Sequence, residues 1–125
     1  MKYYLSLGSN INPESNLELA ISELNKILTH TKCSSVHKTQ AEGFDGDDFL
    51  NLIFYGVSSL SFEDLNRKLK DIEDSSGRNR NVEKFSSRTL DIDIVLQVND
   101  KEEILFESDE IVKYRFVSEP LQELL

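Results

Sequence analysis

Two aspartates interrupt the most apolar stretch of the chain. Asp91 and Asp93 occupy alternate positions within residues 89–98, whose composition predicts a β-strand. Side chains on a strand alternate between its faces, so both carboxylates are expected on one face, about 6–7 Å apart along the strand, while Ile92 points to the other. Like charges this close repel, which should raise the pKa of at least one of them. A hard divalent cation such as Mg²⁺ would supply the counter-charge; two solvent-facing positions on a half-exposed strand are the alternative.

Positive charges precede the two aspartates. Residues 78–88 carry four basic side chains, those of Arg78, Arg80, Lys84 and Arg88. A guanidinium group can bind two phosphate oxygens at once, and it stays charged at neutral pH. Phosphoryl transfer needs such groups to position the phosphates and to neutralise their charge. The stretch has no apolar periodicity, which predicts an exposed loop. The alternative interpretation is a solvated loop whose positive charges only balance the acidic chain.

Composition limits the classes of function. The chain has 125 residues, a formal net charge of −9 and one cysteine, Cys33. One domain over residues 1–125 is expected at this length. The negative charge argues against a nucleic-acid binder, because phosphate contacts provide much of such a protein's affinity. No apolar run is long enough for a membrane span and no signal peptide is recognisable, so a cytoplasmic protein without a membrane partner is expected.

The elements around these residues predict an α+β fold. Alternating or β-branched stretches indicate strands over residues 2–7, 31–39, 49–57, 89–98 and 104–106. Apolar stripes at helical spacing follow Pro13 and Ser61, and a last helical turn is expected over residues 120–125. The order strand, helix, strand, strand, helix, strand is that of a ferredoxin-like split βαβ sandwich. It predicts a mainly antiparallel sheet with two helices on one face.

Several motifs together resemble one enzyme family. Residues 88–94 read Arg-Thr-Leu-Asp-Ile-Asp-Ile, and residues 77–80, Gly-Arg-Asn-Arg, open the basic loop. With residues 4–10 and 49–51, Phe116 and residues 120–124, they are similar to the hydroxymethyldihydropterin pyrophosphokinases of folate biosynthesis. The matches run from residue 4 to residue 124 in the family's order.

The resemblance implies a reaction and a site. The family transfers pyrophosphate from MgATP to the hydroxymethyl group of 6-hydroxymethyl-7,8-dihydropterin and releases AMP. By this resemblance, Asp91 and Asp93 would bind two Mg²⁺ ions that hold the ATP phosphates. The other implied roles are phosphate contacts by Arg78, Arg80 and Arg88, catalysis by Asp91, Asp93, Arg78 and Arg88, a nucleotide contact by Glu73, and pterin binding by Asn51, Phe49 and Phe116.

Departures from the family pattern leave a second function open. The family usually has a histidine in the segment after the aspartate strand, and residues 111–116 have none. That segment is also shorter, so a non-catalytic or altered-specificity relative that binds a pterin or a nucleotide is the alternative. An RNA-binding module is disfavoured by the net charge and by the absence of an aromatic RNA-binding strand motif. The expected partners are small molecules, and the protein is expected to be a monomer or a weak oligomer.

Overall fold

A computed structural model describes residues 1–40, 46–77 and 89–125. Six strands and four helices follow one another along these residues, which confirms the predicted α+β class. The strands are β1 (Lys2–Ser9), β2 (Thr29–Cys33), β3 (His37–Thr39), β4 (Phe49–Val57), β5 (Asp91–Val98) and β6 (Ile104–Glu107). The helices are α1 (Pro13–Ile27), α2 (Phe62–Ser75), α3 (Glu110–Lys113) and α4 (Arg115–Gln122).

β1 lies at the centre of a single sheet. The strand order is β2-β4-β1-β5-β6, and β3 also pairs with β4. Every pairing between these strands is antiparallel, with a register shift in β5 opposite Tyr4 and Leu5 of β1. The predicted antiparallel sheet is therefore confirmed, while the finer ferredoxin-like plan stays a prediction.

The two faces of the sheet are covered by different helices. Leu24 of α1 and Leu69 of α2 are fully buried in one cluster with Leu5 and Ile92 of the sheet, so α1 and α2 share a face, as the sequence predicts. α4 packs on the opposite face, where Val117 and Leu121 contact Ile53 of β4 and Val95 of β5. No helix among the described residues is long and apolar enough to cross a membrane.

Local hydrogen bonds explain where α2 begins and where β2 ends. The Ser61 side chain accepts a hydrogen bond from the Asp64 N–H at 3.2 Å, which caps the start of α2. The strand predicted over residues 31–39 is divided into β2 and β3. Between them Ser34 bonds Ile53 twice, because its N–H donates to the Ile53 carbonyl and its hydroxyl accepts from the Ile53 N–H.

Candidate active site

The register of the three central strands brings the candidate residues together. Gly8 of β1 pairs with Asn51 of β4 on one side and with Asp91 of β5 on the other. Neighbouring strands lie about 4.8 Å apart, so the backbones of Asn51 and Asp91 are about 10 Å apart across Gly8. Ile92 faces α1 and α2. Asp91 and Asp93 therefore share the opposite face with Asn51, as the alternation of the strand predicts.

Asn51, Gly8 and Asp91 form a row across the three strands, and Gly8 leaves the middle of this row without a side chain. A Cβ atom at Gly8 would lie 3.0 Å from Asn51 Oδ1 and 3.9 Å from Phe49 Cδ1, so both side chains approach the backbone of β1 closely. Sequence reasoning assigned Gly8 no part in the site. The signal that could have found it is a glycine inside a strand, because such a glycine often marks a close approach of a ligand or of another chain segment.

Asn51 is held in one orientation at this site. Its side chain is buried, with 4% of the residue exposed, and its Nδ2 donates a hydrogen bond to Thr39 Oγ1 at 2.8 Å. The amide oxygen therefore lies on the side of Gly8. An asparagine amide offers a donor and an acceptor side by side, which suits the edge of a flat heterocycle. Its assignment to pterin binding stays a prediction.

The two candidate aromatic residues lie on the same face of the sheet. Phe49 is partly buried and two residues before Asn51 on β4, so it points to the same side. Phe116 begins the first turn of α4 and packs against the cluster of Ile53 and Val95. Its ring stacks on that of Tyr114, with centroids 4.8 Å apart and planes inclined by 21°. The structure thus brings both residues to the site face.

The carboxyl group of Asp93 has a raised pKa. Burial raises the pKa of this carboxyl to about 7, and the nearby charge of Asp91 acts in the same direction. Glu110 and Glu73 also raise the pKa of Asp93, while the ammonium of Lys70 lowers it. The direction agrees with the rise expected for one member of the aspartate pair, but burial is a larger cause than the repulsion by Asp91 from which the rise was predicted. A cation that binds beside Asp93 would stabilise its ionised form.

Glu73 and Lys70 of α2 secure the strand that carries the aspartates. β6 pairs with β5 at Leu96–Val98, so within residues 1–40, 46–77 and 89–125 no strand lies beside the outer edge of β5 at Ile92. There the Ile92 N–H donates to Glu73 Oε2 at 2.7 Å, and the Ile92 carbonyl accepts from Lys70 Nζ at 3.2 Å. Two side chains thus satisfy backbone groups that a strand would otherwise bond. Glu73 is fully buried, and its predicted nucleotide contact stays a prediction.

The donor set suits magnesium bound together with phosphate. Among residues 1–40, 46–77 and 89–125, no three His, Cys, Asp or Glu side chains meet at metal-binding distance. An ion held by Asp91 and Asp93 would therefore complete its coordination with other oxygens. Mg²⁺ behaves in this way, because it usually keeps water and takes one or two carboxylates plus substrate phosphates. Arg78, Arg80 and Arg88 lie outside the described residues, and their assigned roles stay predictions.

The raised pKa of Asp93 predicts a pH-dependent cost to stability. The pKa is about 7 in the folded protein against 3.8 as the ordinary value, so stability should fall as pH rises from about 4 to about 7 and then level off. The full shift corresponds to about 4 kcal/mol. Since 40% of the side chain is exposed, we expect about 1–2 kcal/mol. With a chelator present, Asp93→Asn should be more stable than wild type in urea at about pH 8 and equal near pH 4.

A matched variant separates this effect from general charge removal. Asp100 is exposed in the turn between β5 and β6, so Asp100→Asn should follow the wild-type pH profile. A difference between Asp93→Asn and wild type that is the same at both pH values would contradict the assignment of the cost to ionised Asp93.

Comparison with known proteins gives consistent matches over most of the chain. The family model described as 7,8-dihydro-6-hydroxymethylpterin-pyrophosphokinase (HPPK) matches residues 4–125. A protein of Aquifex aeolicus (strain VF5), named 2-amino-4-hydroxy-6-hydroxymethyldihydropteridine pyrophosphokinase, is 32% identical over 119 residues. That alignment covers 94% of this chain and 68% of the relative.

Two further relatives are longer than this chain. A protein of Synechocystis sp. (strain ATCC 27184 / PCC 6803 / Kazusa) with the same name is 37% identical over 94 residues, covering 73% of this chain and 48% of the relative. The folate synthesis bifunctional protein of Arabidopsis thaliana is 30% identical over 127 residues, covering 97% of this chain and 26% of the relative. The chain therefore spans about a half and about a quarter of these two relatives.

Proposed function

We propose that this chain, which belongs to the 7,8-dihydro-6-hydroxymethylpterin-pyrophosphokinase family, transfers pyrophosphate from MgATP to the hydroxymethyl group of 6-hydroxymethyl-7,8-dihydropterin. Membership of the family and the names of the relatives support pyrophosphokinase activity in folate biosynthesis. The site residues named above all fall within the matched range, residues 4–125.

The proposed reaction is a displacement at the β-phosphorus of ATP. The hydroxymethyl oxygen of the pterin forms a bond to that phosphorus, and the bond from the phosphorus to the oxygen that bridges to the α-phosphate breaks. AMP leaves with the bridging oxygen, and the hydroxyl proton passes to solvent. The protein's part in such a transfer is to position both substrates and to neutralise charge, without a covalent nucleophile.

One end of the row would bind ATP and the other end the pterin. Asp91 and Asp93 would hold two Mg²⁺ ions, which supply the charge neutralisation that the ATP phosphates need. Asn51 would read the edge of the pterin, with Phe49 and Phe116 against its ring. The observation that carries the proposal is the row Asn51–Gly8–Asp91, since it sets the two kinds of binding group about 10 Å apart on one face of the sheet.

Release of AMP tests the proposal directly. The protein is incubated with ATP, Mg²⁺ and the reduced hydroxymethyl pterin, and AMP is quantified by chromatography against reactions without pterin. AMP that depends on the pterin supports the proposed reaction. Absence of AMP from a folded protein that still binds the pterin would favour the alternative, a non-catalytic relative.

Gly8 provides a test of the pterin end of the row. Gly8→Ala adds a methyl group 3.0 Å from Asn51 Oδ1, which must displace the amide. We expect the KM for the pterin to rise about tenfold, the size of effect that a single misplaced methyl group has in a binding pocket. The KM for ATP should change less. Ser59→Ala, at an exposed position before α2, is the control and should match wild type. An unchanged KM for the pterin would remove Gly8 and Asn51 from the pterin site.

Three assignments beyond the reaction remain proposals. The substrates are the expected partners, and neither nucleic acid nor a membrane is expected to bind. A monomer or a weak oligomer and a cytoplasmic location are also expected on the grounds of size and composition. Size-exclusion chromatography with light scattering would measure the oligomeric state.

A further inference from the structure

Lys70 extends from α2 to the metal-binding face of the sheet. Its ammonium nitrogen lies 3.2 Å from Glu73 Oε2, 3.2 Å from the Ile92 carbonyl oxygen and 3.6 Å from Asp93 Oδ1. The first two contacts anchor the lysine at the edge of β5 beside Ile92. The third extends past that edge, because Asp93 points to the opposite face from α2. One ammonium group therefore joins the helix, the strand and a candidate metal ligand.

The charges around Asp93 give this contact its significance. Asp91 places a second carboxylate on the same strand face two residues from Asp93, and Lys70 places a positive charge 3.6 Å from Asp93 Oδ1. Lys70 is only 34% exposed and Glu73 is fully buried, so the cation is held near Asp93. A mobile surface lysine would contribute much less, because solvent screens exposed pairs.

We propose that Lys70 is a built-in counter-ion of the metal site, which holds Asp93 in place before a metal arrives and lowers the affinity of the nucleotide-free protein for divalent cations. The inference rests on the proposed metal role of Asp91 and Asp93. An ion bound at Asp93 must approach the ammonium within several ångströms and is repelled by it. Phosphate oxygens that arrive with the ion offset this repulsion, so Lys70 favours metal that comes with nucleotide.

Binding of Mn²⁺ to the nucleotide-free protein tests the inference without an activity assay. Free Mn²⁺ is measured by electron paramagnetic resonance at about pH 8.5, where carboxyl groups are ionised, including that of Asp93 with its pKa of about 7. We expect Lys70→Gln to bind Mn²⁺ about tenfold more tightly than wild type. This is the size of the Coulomb repulsion between a single and a double positive charge about 5 Å apart when the dielectric constant is close to that of water. Glutamine can still donate to the Ile92 carbonyl, so the edge contact is retained.

Two control variants separate charge from other effects. Lys68→Gln removes an exposed lysine from the same helix and should bind Mn²⁺ like wild type. Lys70→Arg keeps the positive charge and should also stay close to wild type. An affinity of Lys70→Gln equal to or weaker than that of wild type overturns the inference.

Asp91→Asn distinguishes failure of the inference from failure of the metal site. If this variant binds Mn²⁺ as wild type does, the metal assignment itself is wrong and the role of Lys70 fails with it. If Asp91→Asn weakens binding while Lys70→Gln leaves it unchanged, the metal site stands and only the counter-ion role is overturned. Weaker binding by Asp91→Asn together with tighter binding by Lys70→Gln is the expected result.

Discussion

Replacement of Asp93 by asparagine is expected to lower pterin-dependent AMP release by about 10²–10³-fold, the usual cost of removing one group that stabilises transferred charge. Asparagine keeps the shape of the side chain and removes its negative charge. Without that charge the site loses one of its two proposed metal ligands and binds the ATP phosphates poorly. AMP formation is measured by chromatography at saturating ATP and pterin, so that the change is read in kcat.

The stability of the variant makes this test decisive. The raised pKa of Asp93 means that the ionised carboxyl costs stability, so Asp93→Asn should be at least as stable as wild type near neutral pH. Loss of activity in a protein that unfolds at the same or a higher urea concentration cannot be attributed to unfolding. Asp100→Asn, in the exposed turn after β5, should keep wild-type activity. Retention of more than about a tenth of the activity by Asp93→Asn would exclude Asp93 from transition-state stabilisation.

The strand that carries both aspartates was predictable from the sequence because local preference and tertiary environment agree there. Apolar residues alternate with Asp91 and Asp93, and the same alternation decides which residues meet α1 and α2. Where the carboxylates lie relative to Asn51 was not predictable. That depends on the register of β1 with β4 and with β5, which pairs residues more than 40 positions apart in the sequence.

Gly8 shows how tertiary pairing overrides a local signal. The sequence Gly8-Ser9-Asn10 predicts a turn, yet β1 continues to Ser9. Gly8 pairs with Asn51 and Asp91, and Ser9 pairs with Leu50, so neighbouring strands supply backbone partners on both sides. Turn preference is a weak local effect by comparison. The glycine therefore lies inside the site, where its missing side chain matters.

The last helix begins earlier than the sequence predicts. A helical turn is predicted over residues 120–125, but α4 runs from Arg115 to Gln122 and contains Pro120. A proline inside a helix removes one backbone donor and is unfavourable locally. Here Pro120 and Leu121 are buried, and Leu121 packs on the sheet beside Val95, so burial of apolar surface offsets the lost hydrogen bond.

The pair formed by Lys70 and Glu73 was visible in the sequence only as an ordinary contact within a helix. Residues three apart on a helix are neighbours, and such pairs are common on exposed surfaces. Its importance depends on the position of α2 beside the part of β5 that β6 leaves unpaired, which no local pattern indicates. The resemblance assigns the fully buried Glu73 to nucleotide binding, and nothing in the sequence indicates its hydrogen bond with the Ile92 N–H.

Removal of Glu73 is expected to give a large loss of stability. Glu73→Leu leaves the Ile92 N–H without its acceptor and Lys70 without its buried partner. Breaking a buried charged pair from one side typically costs about 3 kcal/mol or more. For a domain of this size that should lower Tm by about 10 °C. Glu73→Gln, which keeps an acceptor for Ile92, should lose roughly half as much. Thermal unfolding followed by circular dichroism measures all three proteins.

Amide hydrogen exchange shows which part of the sheet loses stability in Glu73→Leu. If Glu73 secures the edge of β5, exchange at Ile92 should accelerate in Glu73→Leu more than exchange at Leu5, which lies in the central strand β1. Glu63→Leu, at an exposed position in the first turn of the same helix, is the control and should leave both amides protected. A uniform acceleration across the sheet would mean that Glu73 supports the core in general. A selective change at Ile92 would show that this carboxylate holds in place the segment between the two aspartates, and a matching fall in affinity for Mn²⁺ would tie that support to the metal site.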